Sequence, residues 1–169
     1  MIDVHPIFVH FPIALLTCYA LFEIFLARKA TWKHFIEPAK LTLLFLGTVS
    51  SWTAFTTGDI AREALGETRL VETHAFFAGA TVWIFTVLSG AYLIRLLVPM
   101  LKTKLAQKSP LRVFLKLEIL ANVLLQTWIV ILGSILGLIT VTITGALGGA
   151  IVYGPEIDPI VSIIYHLFL

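Results

Sequence analysis

Four long apolar stretches, punctuated by prolines, glycines and short charged segments, dominate the chain and predict helices that cross a bilayer. They cover about 7–27, 39–58, 73–98 and 118–152 of the 169 residues. Pro38 suits the first turn of the second stretch, Gly58 its termination, and Pro99 stops the third. The fourth opens between Pro110 and Glu118, and at about 1.5 Å per residue it exceeds a ~30 Å hydrocarbon core. It must tilt, kink or project. The tail, 155–169, turns apolar again, but Pro159–Leu169 is too short to cross and reads as an interfacial or partner-docking segment. The pattern predicts an all-α protein, a membrane-embedded four-helix up-and-down bundle forming a single integral membrane domain over 1–169.

Composition agrees. Apolar residues make up 59% and charged residues 13%, against roughly 45–50% and about 25% in soluble domains. The net charge of +2 matters less than where the charges fall. Arg28, Lys29, Lys33 and Lys40 lie between the first two stretches, and Arg95, Lys102, Lys104, Lys108, Arg112 and Lys116 lie around the third and fourth. The opposite side holds Arg62 and Arg69 among Asp59, Glu63, Glu67 and Glu72. The positive-inside rule puts both basic segments in the cytoplasm, and both termini and the Gly58–Thr73 segment on the outer side. The expected setting is a bacterial inner membrane, crossed several times, with the lipid bilayer as main partner. The first stretch does not read as a cleaved signal, because Arg28 and Lys29 follow it and no basic segment precedes it.

Several classes fall away. No basic patch interleaves with aromatic residues, so nucleic acid is not an expected partner. Phosphate loops, nucleotide fingerprints and nucleophile elbows are missing, as is a repeat of discontinuous helices of the transporter kind. Cys18 stands alone in an apolar run, which excludes an internal disulfide and predicts a small buried hydrophobe.

Candidate chemistry rests on histidine. His5, His10, His74 and His166 fall on the outer side, and His34 sits in a basic segment at the inner interface. In an up-and-down bundle the first and third helices are diagonal, so His10 and His74, near their starts, can point at each other across the core. An imidazole at bilayer depth needs a partner, and two at matching depth can share one. His5 is off the i,i+4 repeat from His10 and assigned to a lead-in. Pro12 cannot donate to residue 8 and restrains Phe11, so the helix either starts near Pro12 or opens its first turn there.

The stretch HPIFVHFPIALL, a later span opening on His74, and a fourth span ending GALGGAIVYG resemble a family of small bacterial four-helix membrane proteins of unknown function. That family's pattern opens on His-Pro-x-x-Val-His-Phe-Pro, and the resemblance covers most of the chain. It implies that His5, His10 and His74 are the family's polar positions. More loosely, the layout is similar to cytochrome-b-type membrane proteins, in which histidines on separate helices hold haem. Such proteins often carry a second histidine pair near the other face. This chain has none, which argues against a two-haem relay.

Haem b would use what is present, two neutral imidazoles binding iron from opposite sides as a closed electron-transfer centre. His10 and His74 are the expected ligands, Gly145, Gly148 and Gly149 the small residues admitting a flat macrocycle, and Arg62 and Arg69 the cations for its carboxylates. A quinone is an alternative, since imidazole can take a proton from a quinol. A copper or zinc site would draw a third ligand from His5, Glu72 or His166. The expected role is an electron-transfer subunit of a larger respiratory or redox complex, meeting other membrane or periplasmic redox subunits, a cytochrome c type among them. The alternative is a cofactor-free anchor or assembly subunit, and catalysis in isolation is not expected. Plainer readings stand beside these. Gly133, Gly137, Gly145 and Gly149 form a helix-packing stripe, and Ser50, Ser51, Thr53, Thr140, Thr142 and Thr144 bond to backbone carbonyls. Asn122 and Gln126 bond to a neighbouring helix, Trp52, Trp83 and Trp128 fill the core, and Trp32 suits the inner interface. Glu23 pairs with Arg28, Arg95 or Lys116.

Overall fold

The computed structural model describes residues 5–26, 33–66, 68–105 and 111–169. Among these there is no strand. The helices are α1 (His5–Leu21), prolonged by a π-helical turn (Phe22–Leu26), α2 (Lys33–Leu65), α3 (Arg69–Leu105), α4 (Leu111–Leu124), α5 (Thr127–Tyr153) and α6 (Pro159–Phe168). α1 packs on α2 and α5, and α3 packs on α2, α4 and α5, so α1 and α3 face each other across the interior, where the Tyr19 and Phe85 rings meet edge-on at 6.0 Å. The side chains of Arg28, Lys29, Trp32, Lys33, His34, Glu67, Lys102, Lys104, Lys108 and Arg112 lie outside the described residues.

The helices run further than their punctuation suggested. α1 starts at His5 and passes through Pro12, α2 contains Pro38 and α3 contains Pro99. In an apolar setting a freed backbone group has no water to turn to, so a helix survives a proline that would end it in water. His5 therefore belongs to the helix and not to a lead-in. α2 also runs past Gly58 and stops at Gly66, whose φ of 80° is open to glycine and strained for other residues. The Gly66 N–H closes on the Arg62 carbonyl at 3.1 Å, which leaves a short link into α3.

The overlong fourth stretch is broken in two. Gln126 is extended (φ −61°, ψ 136°) between α4 and α5, and its side chain accepts from Trp128 Nε1 at 3.1 Å. Gln126 is thus held by its own segment, and Asn122 is exposed.

Among the described residues three segments are long and apolar enough to cross a membrane: Ile7–Phe25, Arg69–Met100 and Thr127–Tyr153. α2 falls short in apolarity because Thr42, Thr48, Ser50, Ser51, Thr53, Thr56 and Thr57 interrupt it. All but Thr48 donate to carbonyls of their own helix, and Thr48 reaches Ser89 Oγ at 2.7 Å and the Phe85 carbonyl on α3. Thr140, Thr142 and Thr144 likewise bond to carbonyls of α5. This internal pairing lowers the cost of burying a hydroxyl.

A buried cluster of Leu16, Tyr19, Leu44, Phe85, Leu88 and Tyr92 joins α1, α2 and α3 at mid-height. The tryptophans are not part of it. Trp83 and Trp128 are 61% and 64% exposed, and Trp52 stacks edge-on with Trp83 at 5.6 Å on the outer surface. Large rings facing lipid lose nothing by staying outside, whereas the crowded interfaces select glycine and leucine. Cys18 is exposed as well, on the outer side of α1. The tail folds back: Asp158 caps α6 by accepting from the Ile160 and Val161 N–H groups. Phe168 meets Phe77 at 4.9 Å, and Val161 would touch a Cβ at Gly149 at 3.6 Å. Ile164 is thereby covered in part, while Ile160, Ile163 and Leu167 remain outward.

Candidate functional site

The start of α1, the end of α2, the start of α3 and the end of α5 converge on one cavity of about 420 Å³, within the range of small-molecule sites. His5, His10, His74, Arg62, Asp59, Gly145, Gly148 and Gly149 line it, among mostly apolar neighbours. Arg69 is exposed and does not line it, nor do Glu72 and His166; His166 instead meets Glu156 at 3.1 Å on the surface.

His74 is fixed from behind. Its Nδ1 lies 3.1 Å from the Thr144 carbonyl, which can only accept, so Nδ1 carries the hydrogen and Nε2 the lone pair. His5 is held alike: Nδ1 is 3.1 Å from Thr57 Oγ1, whose own hydrogen goes to the Thr53 or Ala54 carbonyl. The two rings lie within electrostatic reach of one another. His10 is five residues from His5, about 140° around the helix. It is exposed and reaches the cavity at the rim.

Both inner imidazoles rest on glycine. A Cβ at Gly58 would lie 3.0 Å from His5 Cε1, and one at Gly148 3.2 Å from His74 Cε1. Eleven residues beyond each histidine the arrangement recurs: Leu16 sits on Gly47 and Phe85 on Gly137, a Cβ at either glycine being 2.5 Å from the facing side chain. Those glycines precede Gly58 and Gly148 by the same eleven residues. The hairpin α1–α2 and the hairpin α3–α5 are thus two versions of one unit. At constant sequence offsets, Val9 and Ala78, Ile13 and Val82, Ala54 and Thr144, and Ala61 and Ile151 all line the cavity in equivalent places. The charged residues break the equivalence. Asp59 and Arg62 of the first unit correspond to Gly149 and Val152 of the second, and His10 corresponds to Gly79.

The packing reading of the glycine stripe holds for Gly133 and Gly137, which face Leu88 and Phe85, while Gly148, off that stripe, seats His74. Among the described residues no three His, Cys, Asp or Glu side chains gather as metal ligands. At the other end of the helices lies a polar cluster that the sequence reading misassigned. Glu23 pairs with Lys40 at 2.7 Å and not with Arg95 or Lys116, Arg28 lying outside the described residues, and Tyr92 OH reaches both members of the pair. Lys40 looked like part of a basic loop because α2 was expected to start after Pro38. With α2 opening at Lys33, Lys40 lies in its third turn and points inward.

Neither a curated protein nor a solved structure matches the chain. The pattern of one family, described as predicted membrane protein (DUF2231), matches residues 1–158, and the chain belongs to that family.

Proposed function

We propose that the chain is a four-span bacterial inner-membrane subunit with both termini outside, whose cavity holds haem b between two imidazoles and passes electrons within a larger redox complex. One observation carries this reading: on two separate helices, His5 and His74 each commit Nδ1 to the protein, which leaves Nε2 of both as the nitrogen that would coordinate. A ligating histidine takes this form, its second nitrogen tied to a carbonyl or hydroxyl that fixes tautomer and ring. The donor set fits the group, since two neutral imidazoles satisfy a closed iron centre while no third ligand is gathered for copper or zinc. Bound there, haem b would supply one-electron transfer. The protein's part is to orient the imidazoles, exclude water with apolar walls and offer Arg62 to the carboxylate edge. Arg69 has no part in this.

α2 counts as the fourth span because it is flanked by α1 and α3 and its hydroxyls are paired within the protein. The outward redox partner would be a periplasmic subunit of the cytochrome c kind, or a quinol. With Cys18 replaced by alanine, a cysteine at Glu67 should react with an impermeant reagent in intact cells and one at Lys104 should not; the reverse inverts the topology. The deciding measurement is the absorbance of the purified protein, oxidised and reduced, after expression with ample haem. A low-spin spectrum is expected. Protein without a Soret band would sink the haem assignment and leave a quinone-binding or scaffolding subunit.

A further inference from the structure

At the opposite end of the helices from the histidines, Glu23 stands on the π-helical turn and Lys40 on α2, 7% and 3% exposed. Their ion pair measures 2.7 Å, and Tyr92 of α3 bridges it, accepting from Lys40 Nζ at 3.2 Å and donating to Glu23 Oε2 at 3.4 Å. Glu37, half-exposed, approaches Lys40 at 3.7 Å and so links the pair to the surface. Beyond Tyr92, Tyr19 and Ser134 are fully buried and lie beside each other, with the Tyr19 hydroxyl turned toward Ser134 and Tyr92 but neither it nor the Ser134 hydroxyl closing a well-formed hydrogen bond.

A purely structural clamp does not account for this arrangement. Buried hydroxyls left without a well-formed partner are destabilising, and native interiors meet such groups with water. π-helical turns, moreover, concentrate at functional positions. The apolar side chains of Leu16, Leu44 and Phe85 pack together in the core, and Glu37, partly exposed, touches the ion pair from the surface side.

We propose that Glu23, Lys40 and Tyr92, with a water held by Tyr19 and Ser134, form a proton-exchange site that opens at Glu37. In the exchange an N–H bond of the Lys40 ammonium breaks and an O–H bond forms on Glu23. The amine then takes the proton of a Glu37 carboxyl that bulk solvent has protonated, an N–H bond forming as the Glu37 O–H bond breaks, so the cluster gains one proton and no electron moves. The groups facing Glu23 are Tyr19 from α1, Lys40 and Glu37 from α2, Tyr92 from α3 and Ser134 from α5; Arg95, one turn beyond Tyr92, is exposed.

The test is infrared difference spectroscopy of the full-length protein in detergent during a pH titration. A protonated-carboxyl band should grow as pH falls, shift in heavy water and vanish in Glu23→Gln. Glu37→Gln should keep the band and slow its appearance after a pH jump. Tyr19→Phe should move its frequency, because it removes one holder of the water. A wild-type protein without a titrating carboxyl band, or one whose band persists in Glu23→Gln, overturns the proposal. Should Glu23→Gln fail to fold, Tyr19→Phe decides: greater thermal stability with an unmoved band would mark Tyr19 as a plain orphan and end the idea. None of these readouts involves the histidine cavity, so the outcome is independent of the haem assignment.

Discussion

The hairpins α1–α2 and α3–α5 solve one packing problem twice. Each opens on a histidine seated against a glycine, and each places a bulky side chain over a second glycine eleven residues further on. Where they agree, the positions serve close approach of helices, which in hydrocarbon depends on packing because the hydrophobic effect is absent. Where they differ, the first unit carries a charged group or an extra imidazole. His10 replaces the glycine at position 79 of the second unit, Arg62 replaces Val152, and Glu23 corresponds to Tyr92, with which it makes contact across the interior. Under the proposed function the equivalent pair His5–His74 would take the two faces of a ligand, with His10 an addition at the rim.

That assignment makes the largest prediction. If equivalence governs the site, His5→Ala and His74→Ala should each convert a low-spin spectrum to high-spin or remove the cofactor. The double variant should do little more than the worse single one, because two ligands of one iron act as a unit. His10→Gly, which makes the first unit resemble the second, should leave the spectrum low-spin. Loss of the low-spin form in His10→Gly, with His5→Ala silent, would break the comparison and return the ligand role to His10.

The sequence disclosed the class and much of the site. Apolar length and the sorting of charges pointed to membrane helices, and His5, His10, His74 and the glycines 145, 148 and 149 do meet around one cavity. What it hid has physical causes. Prolines 12, 38 and 99 looked like boundaries because their penalty is judged against water. In hydrocarbon the helix continues, and this moved His5 inward and turned Lys40 toward Glu23. Trp52, Trp83 and Trp128 looked like core because size usually means burial, yet lipid is as apolar as the core itself. The constant spacing of His5, Leu16, Gly47 and Gly58 against His74, Phe85, Gly137 and Gly148 was present in the letters. It became visible only once the contacts showed which glycine each side chain rests on.

A second prediction sharpens the comparison at mid-height. Gly137→Ala would thrust a methyl group against the fully buried ring of Phe85, which cannot swing aside; overpacking of this kind costs about 1–3 kcal/mol. Gly47→Ala meets Leu16 Cδ2 at 2.5 Å and Cγ at 2.8 Å, and an aliphatic side chain yields by rotation more readily than a ring, while the roughly 0.5–1 kcal/mol a helix gains on losing a glycine is common to both variants. Thermal unfolding in detergent should therefore rank Gly137→Ala well below Gly47→Ala. Equal losses would mean that ring and side chain yield alike and that the two interfaces are more similar than their contacts suggest.

The smallest expected effect separates the two ways of holding an imidazole. His5 depends on a side-chain hydroxyl, so Thr57→Val leaves its Nδ1–H without an acceptor and should cost about 1 kcal/mol. His74 depends on a backbone carbonyl that no substitution at Thr144 removes, so Thr144→Val should be nearly silent in stability and in the spectrum. The contrast also tests which ring is the softer ligand, because only His5 can be released by changing a neighbour. If Thr144→Val proved as costly as Thr57→Val, the 3.5 Å contact between the Thr81 and Thr144 hydroxyls would be what positions α3 against α5. The Nδ1 hydrogen bond of His74 would then follow from that packing and would not itself set it.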